Sequence, residues 1–249
     1  MSNTPVLSAD TISVSAPGTL ILDGISLDIP DTAISVLAGP VGAGKSVLAR
    51  VLGGILKADN GSISGPARGH TGVVLQNANA HLLGATVEED IHLSLARRPD
   101  ERTRRTSEVM SLCGISHLAT RPIQHLSGGE ARLCALAATM ATSPRLLICD
   151  EPFANLDWSG VDRVLSALIS YTNHGGAVLA VTHETEKILA HAQRLFVLQP
   201  GGPVHVFRLP DDLVSSSDRA RVEAFGLRIR GPVDEMSWLK KSDTPKARV

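Results

Sequence analysis

The stretch Gly39-Pro-Val-Gly-Ala-Gly-Lys45-Ser46 decides the fold of this chain. A short apolar run at residues 34–38 leads into it, and apolar residues at helical spacing follow it between positions 47 and 56. This pattern predicts a buried strand, a glycine-rich turn and a helix in direct succession. Strands that alternate with helices are typical of an α/β fold.

The residue types of this stretch suit the binding of a phosphate chain, and they fit the pattern GxxxxGK[ST]. Glycines allow successive backbone N–H groups to point at phosphate oxygens, and the following helix offers its N-terminal amides to the same anion. Lys45 would neutralise the phosphates, and Ser46 would bind Mg²⁺. The whole stretch is the predicted nucleotide-binding loop: Gly39, Pro40, Val41, Gly42, Ala43, Gly44, Lys45 and Ser46.

Further segments extend the α/β pattern. Residues 20–29 alternate, with Ile25, Leu27 and Ile29 on one side of a predicted strand, and residues 86–119 are predicted to be mostly helical. Three apolar runs predict buried strands, and the segment between the first two predicts a helix: Leu146–Cys149, Ala177–Val181 and Leu195–Leu198 for the strands, and Val161–Tyr171 for the helix.

Two acids, Asp150 and Glu151, follow the predicted strand at Leu146–Cys149. Ligands of α/β proteins bind at the carboxyl ends of strands, where these side chains would lie. Asp150 is a candidate to hold Mg²⁺ through water, and Glu151 is a candidate general base for an attacking water molecule. Taken alone, the pair could equally be an exposed acidic turn, and the phosphate-loop pattern favours the site.

The segment Leu126-Ser127-Gly128-Gly129-Glu130 precedes a predicted helix at residues 131–141. In isolation it could be a helix cap with Ser127 as the capping residue. The chain carries, in this order, the phosphate loop, Gln76, the segment at 126–130, the acids at 150 and 151, and His183. With these motifs in this order, the chain resembles the ATP-binding-cassette family. The family signature is LSGGQ, and Glu130 stands in its last position here.

The resemblance implies a P-loop NTPase core with a mostly parallel sheet, an antiparallel N-terminal β part and an inserted helical subdomain at about residues 84–142. The ATP-binding domain would span residues 1–207. Residues 208–249 would form a C-terminal appendage with a mobile tail and one short helix near residues 217–226.

The resemblance also implies ATP and Mg²⁺ as cofactors and a head-to-tail dimer, with itself or with a homologous ATPase. In that dimer Ser127, Gly128 and Gly129 would cap the ATP bound to the partner. His183 would contact the γ-phosphate, although any single histidine is more often a surface residue. The implied catalytic residues are Glu151, His183 and Lys45, and the implied metal ligands are Ser46, Gln76 and Asp150.

Residues 72–91 resemble the energy-coupling-factor group of cobalt and vitamin importers, through Gln76, Asn77 and the run 86–90. The proline after Asn77 is missing, and His81 replaces the second glutamine. The acids of the run would equally suit the first turn of a helix. The resemblance implies that Gln76 links the ATP site to an integral membrane subunit, with this chain cytoplasmic and peripheral on the inner face of the cell membrane.

Composition bounds the remaining alternatives. With 24 basic against 25 acidic residues, nothing global points to nucleic acid. The three cysteines show no CxxC spacing and indicate reduced thiols, and no stretch approaches the roughly 18 apolar residues of a membrane span. The rival function is a soluble cassette ATPase of cofactor assembly, DNA repair or translation. A long coiled coil or a second cassette, as in the repair and translation types, is missing here.

The first prediction concerns the adenine. Family members commonly stack the base on an aromatic residue upstream of the phosphate loop, and the corresponding position here is Ala16. No Phe, Tyr or Trp precedes Phe153 in the chain. Base–aromatic stacking contributes about 1–3 kcal/mol. Ala16→Tyr should therefore tighten ATP binding several-fold in a titration and leave the hydrolysis rate constant nearly unchanged. An unchanged dissociation constant would show that residue 16 does not face the base.

Overall fold

A computed structural model describes residues 4–209, without the side chain of residue 79. Most of the predicted appendage at 208–249, including its helix and mobile tail, therefore lies outside the described residues. The described part is built on two β-sheets and five α-helices.

The smaller sheet is antiparallel, with the strand order β2-β1-β4. The alternation predicted for residues 20–29 is confirmed, because Ile25, Leu27 and Ile29 are buried on one face of β2. β1 and β2 form a long hairpin that turns at Pro17 and Gly18. The bounds of the three strands are Pro5–Ala16 for β1, Thr19–Pro30 for β2 and Asn60–Ser64 for β4.

The larger sheet has six strands in the order β5-β6-β7-β3-β8-β9, all parallel except the last. The three predicted apolar runs form β6, β7 and β8, as expected. β9, which pairs antiparallel to β8, was not predicted, because its short half-exposed segment has no continuous apolar run. The strands are β3 Ile34–Ala38, β5 Thr71–Val74, β6 Leu146–Asp150, β7 Ala177–Val181, β8 Arg194–Leu198 and β9 Val204–Arg208.

The helices differ from expectation at two places. The helix predicted from the pattern at 47–56 is too long, because the observed helix ends before Gly53 and Gly54, and Gly54 adopts φ +72°. The segment at 86–119 is two helices separated by a short 3-10 turn at Pro99–Glu101, since proline favours a first-turn position. The helices are α1 Lys45–Leu52, α2 Val87–Ser94, α3 Arg102–Leu112, α4 Gly128–Ala141 and α5 Trp158–Asn173.

The six-stranded sheet separates two hydrophobic cores. Side chains alternate across each strand. In β6, for example, Leu147 faces the core formed with α2 to α5, and Ile148 faces the core formed with α1 and the antiparallel sheet. Every residue of β3, β6 and β7 is buried, as expected for parallel strands covered on both faces. The carboxyl ends of these strands therefore meet at one edge of the sheet.

Helices α2, α3 and α4 fall in the range 84–142 that was predicted as an inserted subdomain, and the division into domains stays a prediction. Within residues 4–209, no helix combines the length and the hydropathy that crossing a membrane requires.

Candidate functional site

The predicted phosphate loop lies at the carboxyl end of β3 and runs directly into α1. Gly39 adopts φ +145°, and a Cβ atom there would lie 2.2 Å from the carbonyl oxygen of Leu198 on the neighbouring strand. Gly42 and Gly44 also have positive φ, and Gly44 begins α1 without a side-chain cap. The first amides of α1 are therefore left for a ligand, and glycine is required where the loop passes closest to β8.

Lys45 folds back over this loop. Its Nζ donates to the carbonyl oxygens of Gly39 (2.9 Å) and Pro40 (3.0 Å). Burial lowers the pKa of Lys45, and the negative charges of Glu151 and Asp150 act in the opposite direction. The ammonium group therefore lies over the loop and within electrostatic reach of both acids. Both of its carbonyl partners could be exchanged for phosphate oxygens.

Ser46 and Asp150 are brought together across the sheet edge. The Ser46 hydroxyl donates to Asp150 Oδ1 over 3.2 Å, although 104 positions separate the two residues. Burial raises the pKa of Asp150, and the hydrogen bond from Ser46 opposes that shift. A hydroxyl and a carboxylate at this spacing are oxygen donors of the type that Mg²⁺ prefers beside phosphates and water. The two side chains therefore fit the predicted metal position.

Glu151 is held by three contacts from the end of β7. Its backbone N–H donates to Val181 O (2.7 Å), the hydroxyl of Thr182 donates to Oε2 (3.1 Å), and Nδ1 of His183 lies 2.8 Å from Oε1. The residue adopts φ +50°, a left-handed conformation that is uncommon outside glycine. Such strain persists only where the surroundings fix it, and it concentrates at functional sites.

Thr182 was missed by the sequence reasoning. It is fully buried, and its hydroxyl accepts from the N–H of Glu184 while it donates to Glu151. Because the N–H of Glu184 is a donor and the carboxylate oxygen an acceptor, the single hydroxyl proton points at the carboxylate. Its position directly before His183 was the available signal. The pairing across the sheet that brings it to Glu151 depends on the register of β6 and β7.

Ser127 is the N-cap residue of α4, so the simple cap interpretation describes the local structure correctly. Its side chain accepts from the N–H of Glu130, and the Glu130 carboxylate accepts from the N–H of Ser127 over 2.7 Å, which completes a capping box. That backbone hydrogen bond is the main cause that lowers the pKa of Glu130. The hydrogen bonds of Ser127 stay within this first turn. The fold thus joins Lys45, Ser46, Asp150, Glu151 and His183 in one site, whereas the side chain of Ser127 is engaged in the first turn of its own helix.

Gln76 follows β5 and is exposed. Its backbone carbonyl accepts from the guanidinium of Arg132 on α4 (2.8 Å), and the same guanidinium donates to the carbonyl of Leu75 (3.1 Å). The N–H of Leu75 donates to Nε2 of His81 (2.9 Å). Sequence reasoning noted His81 only as a departure from a pattern and missed Arg132, since nothing in the local sequence pairs them with Gln76.

Comparison with known proteins finds similarity over most of the chain. A sequence model of the ABC transporter family matches residues 22–154. The chain is 34% identical to the cobalt import ATP-binding protein CbiO of Rhodobacter capsulatus, covering 90% of this chain and 85% of that protein. It is 33% identical to the energy-coupling factor transporter ATP-binding protein EcfA of Methanothermobacter thermautotrophicus, covering 79% and 71%. Among solved structures, cbiO1 of Clostridium perfringens, part of the ABC transporter complex cbiONQ, is similar with a TM-score of 0.77 and 25% identity, over 94% of this chain and 100% of that one.

The capping box gives a stability prediction. Glu130→Ala should lower the free energy of unfolding by about 1 kcal/mol, since it leaves the N–H of Ser127 without its acceptor. Glu130→Gln should cost less, because the amide oxygen can still accept, and the losses are the charge near the helix N-terminus and the partly exposed ion pair with Arg121. Urea denaturation of both variants would measure the difference, and equal losses would contradict the hydrogen-bonding role.

Proposed function

Since the chain belongs to the ABC transporter family of ATPases, we propose that it is the ATP-hydrolysing subunit of an energy-coupling-factor importer for a metal ion or a vitamin. One observation carries the proposal. The Ser46–Asp150 pair and the Glu151–His183 pair meet beside Lys45 at one edge of the sheet. The names of the CbiO and EcfA relatives, which match most of the chain, favour this branch, and the cobalt in the name of CbiO favours a metal ion as the cargo.

The triphosphate of ATP would lie along the phosphate loop. The amides at the start of α1 would donate to its oxygens, and Lys45 would leave the carbonyls of Gly39 and Pro40 to neutralise the β- and γ-phosphates. Ser46 and Asp150 would hold Mg²⁺, with Gln76 as the third side-chain ligand. Mg²⁺ held there would supply positive charge that stabilises the negative charge developing on the phosphate oxygens.

Glu151 would act on the attacking water. Its carboxylate accepts from Thr182 and contacts His183, and these contacts fix its direction at the end of β6. Glu151 would accept a proton from water as the water attacks the γ-phosphate, a general-base role. His183 is more than half exposed at this edge and would contact the γ-phosphate while it holds Oε1 of Glu151.

The signature would act on a second site, in a partner subunit. Ser127, Gly128 and Gly129 stand at the N-terminus of α4, where helix amides attract an anion. Space is open around Gly128, since a Cβ atom added there would meet no other atom within 4 Å. A head-to-tail dimer, with this chain or with a homologous ATPase, would bring the signature of one subunit to the phosphates bound by the other.

At the membrane, the chain would be peripheral on the inner face and bound to an integral subunit. The segment after Gln76 supports this assignment, because it carries the resemblance to the importer group and leads along the chain from Gln76 to α2. The similarity to cbiO1, described as part of the cbiONQ complex, also supports a membrane partner.

The catalytic assignment gives a direct test. Glu151→Gln removes the base and keeps the shape of the side chain, so turnover of ATP should fall by about 10²–10⁴-fold. ATP binding should survive, and an ATP-dependent dimer should accumulate on size exclusion. Asp100→Asn, which makes the same kind of change on an exposed 3-10 turn, serves as the control. Near-normal turnover in the Glu151 variant would refute the assignment.

The dimer assignment is tested at Gly128. An aspartate has room there in the single chain, so Gly128→Asp should fold, and its charge should repel the phosphates of the partner's ATP. ATP binding by the monomer should remain, whereas ATP-dependent dimerisation and hydrolysis should be lost. Light scattering and an ATPase assay measure both, with Ser166→Asp on the exposed face of α5 as the matched charge control. Unchanged dimerisation would contradict a signature that closes the partner's site.

A further inference from the structure

The backbone at Gln76 is clamped by two side chains from other parts of the chain. Nε2 of His81 accepts from the N–H of Leu75, and the guanidinium of Arg132 donates to the carbonyls of Leu75 and Gln76. Three backbone groups beside one exposed side chain are therefore fixed by side-chain partners. Connecting segments are generally more mobile than the helices and strands they join. The three hydrogen bonds to the backbone of Leu75 and Gln76 therefore restrict the movement of this segment.

Arg132 is an unusual group to find in this position, because it is only 5% exposed. Burial of a guanidinium is costly unless its donors are used, and here Nη1 and Nη2 each donate to one of two neighbouring carbonyl oxygens while Nε is buried without a partner among the described residues. Burial lowers the pKa of Arg132, and the charges of Asp150 and Glu151 are among those that oppose the shift. The clamp therefore lies within electrostatic reach of the catalytic carboxylates. Arg132 also belongs to α4, little more than one turn after Ser127, so it ties Gln76 to the signature helix.

His81 contributes an acceptor that few side chains could supply there. Because Nε2 accepts from a backbone N–H, the imidazole must carry its proton on Nδ1. Burial and the nearby charge of Arg132 lower the pKa of His81, which favours the neutral ring, while Asp90 acts in the opposite direction. Asp90 is itself buried and accepts from the N–H groups of Leu83 (2.6 Å) and Gly84 (3.0 Å). The chain is thus held on both sides of His81.

We propose that His81 is a positioning residue for Gln76, and that together with Arg132 it sets the reach of the Gln76 amide toward the metal position at Ser46 and Asp150. The inference rests on the proposed role of Gln76 as a Mg²⁺ ligand. The side chain of Gln76 is exposed, so its own packing does not fix its direction, and the backbone position decides which atoms the amide reaches. Residues that orient a metal ligand typically change metal affinity by about 10–100-fold when they are lost.

The experiment measures binding of a non-hydrolysable ATP analogue by calorimetry, with Mg²⁺ and with EDTA, on the full chain. His81→Ala should leave the affinity for the analogue in EDTA unchanged. The factor by which Mg²⁺ raises that affinity, called the tightening by Mg²⁺ below, should fall about tenfold. His81→Gln should restore most of that tightening, because its amide oxygen can accept from Leu75 at a similar distance from the backbone. His117→Ala, on an exposed 3-10 turn, should match the parent chain in both conditions.

Hydrogen exchange supplies a second measurement that is independent of the metal. The amide of Leu75 should exchange faster in His81→Ala than in the parent chain, and His81→Gln should return it toward the original rate. A variant that has merely lost stability would instead exchange faster throughout the core. If His81→Ala unfolds, His81→Gln and its exchange rate at Leu75 still decide whether an acceptor is needed.

Gln76→Ala separates the two possible failures. If it keeps the full tightening by Mg²⁺, Gln76 is not a ligand, and the inference falls with that assignment. If Gln76→Ala loses the tightening while His81→Ala keeps it, the ligand role stands and the positioning role of His81 is overturned. Failure of His81→Gln to restore what His81→Ala loses would likewise overturn the acceptor role.

Discussion

The parallel registration of the fully buried strands β3, β6 and β7 is the constraint on which the site depends. Their backbone groups pair with one another and their side chains fill a core on each face. A shift of one residue would exchange the side chains of a strand between the two cores and disrupt the packing of both. Because the strands end together, the loop after β3, the acids at the end of β6 and His183 after β7 meet at one edge. The hydroxyl of Ser46 and the carboxylate of Asp150 are neighbours for this reason alone.

At this edge of the sheet, the polar side chains of the site bind groups of the protein itself. Lys45 binds carbonyls of its own loop, Ser46 binds Asp150, and Glu151 contacts His183. Each of these contacts joins groups that a triphosphate and its metal would engage instead. The site is therefore preorganised in position, while its polar groups are kept paired, which avoids the cost of buried groups without partners. The left-handed backbone of Glu151 belongs to the same arrangement, since three contacts from β7 hold it.

Side chains of α2 and α4 form hydrogen bonds with the segment that follows β5 and contains Gln76. Arg132 on α4 donates to the backbone carbonyl of Gln76. Asp90 on α2 accepts from the N–H of Leu83, in the segment between Gln76 and α2. The position of the Gln76 backbone is therefore tied to that of α4 through the two hydrogen bonds of Arg132. This linkage connects the segment that resembles the importer group by hydrogen bonds to α4, the helix that the signature residue Ser127 caps.

The sequence by itself determined the α/β class, the phosphate loop, the acids at the end of β6, and the segments of β6, β7 and β8, because these depend on local patterns of apolar residues and on residue types with one dominant chemistry. Periodicity could not reveal that Gly54 ends α1, nor that β9 adds to the sheet. Tertiary structure alone decided that Thr182 faces Glu151 and that His81 and Arg132 clamp Gln76. Those contacts join residues that are distant in the chain or lie on different elements, and the strand register and helix packing that bring them together leave no trace in the local sequence.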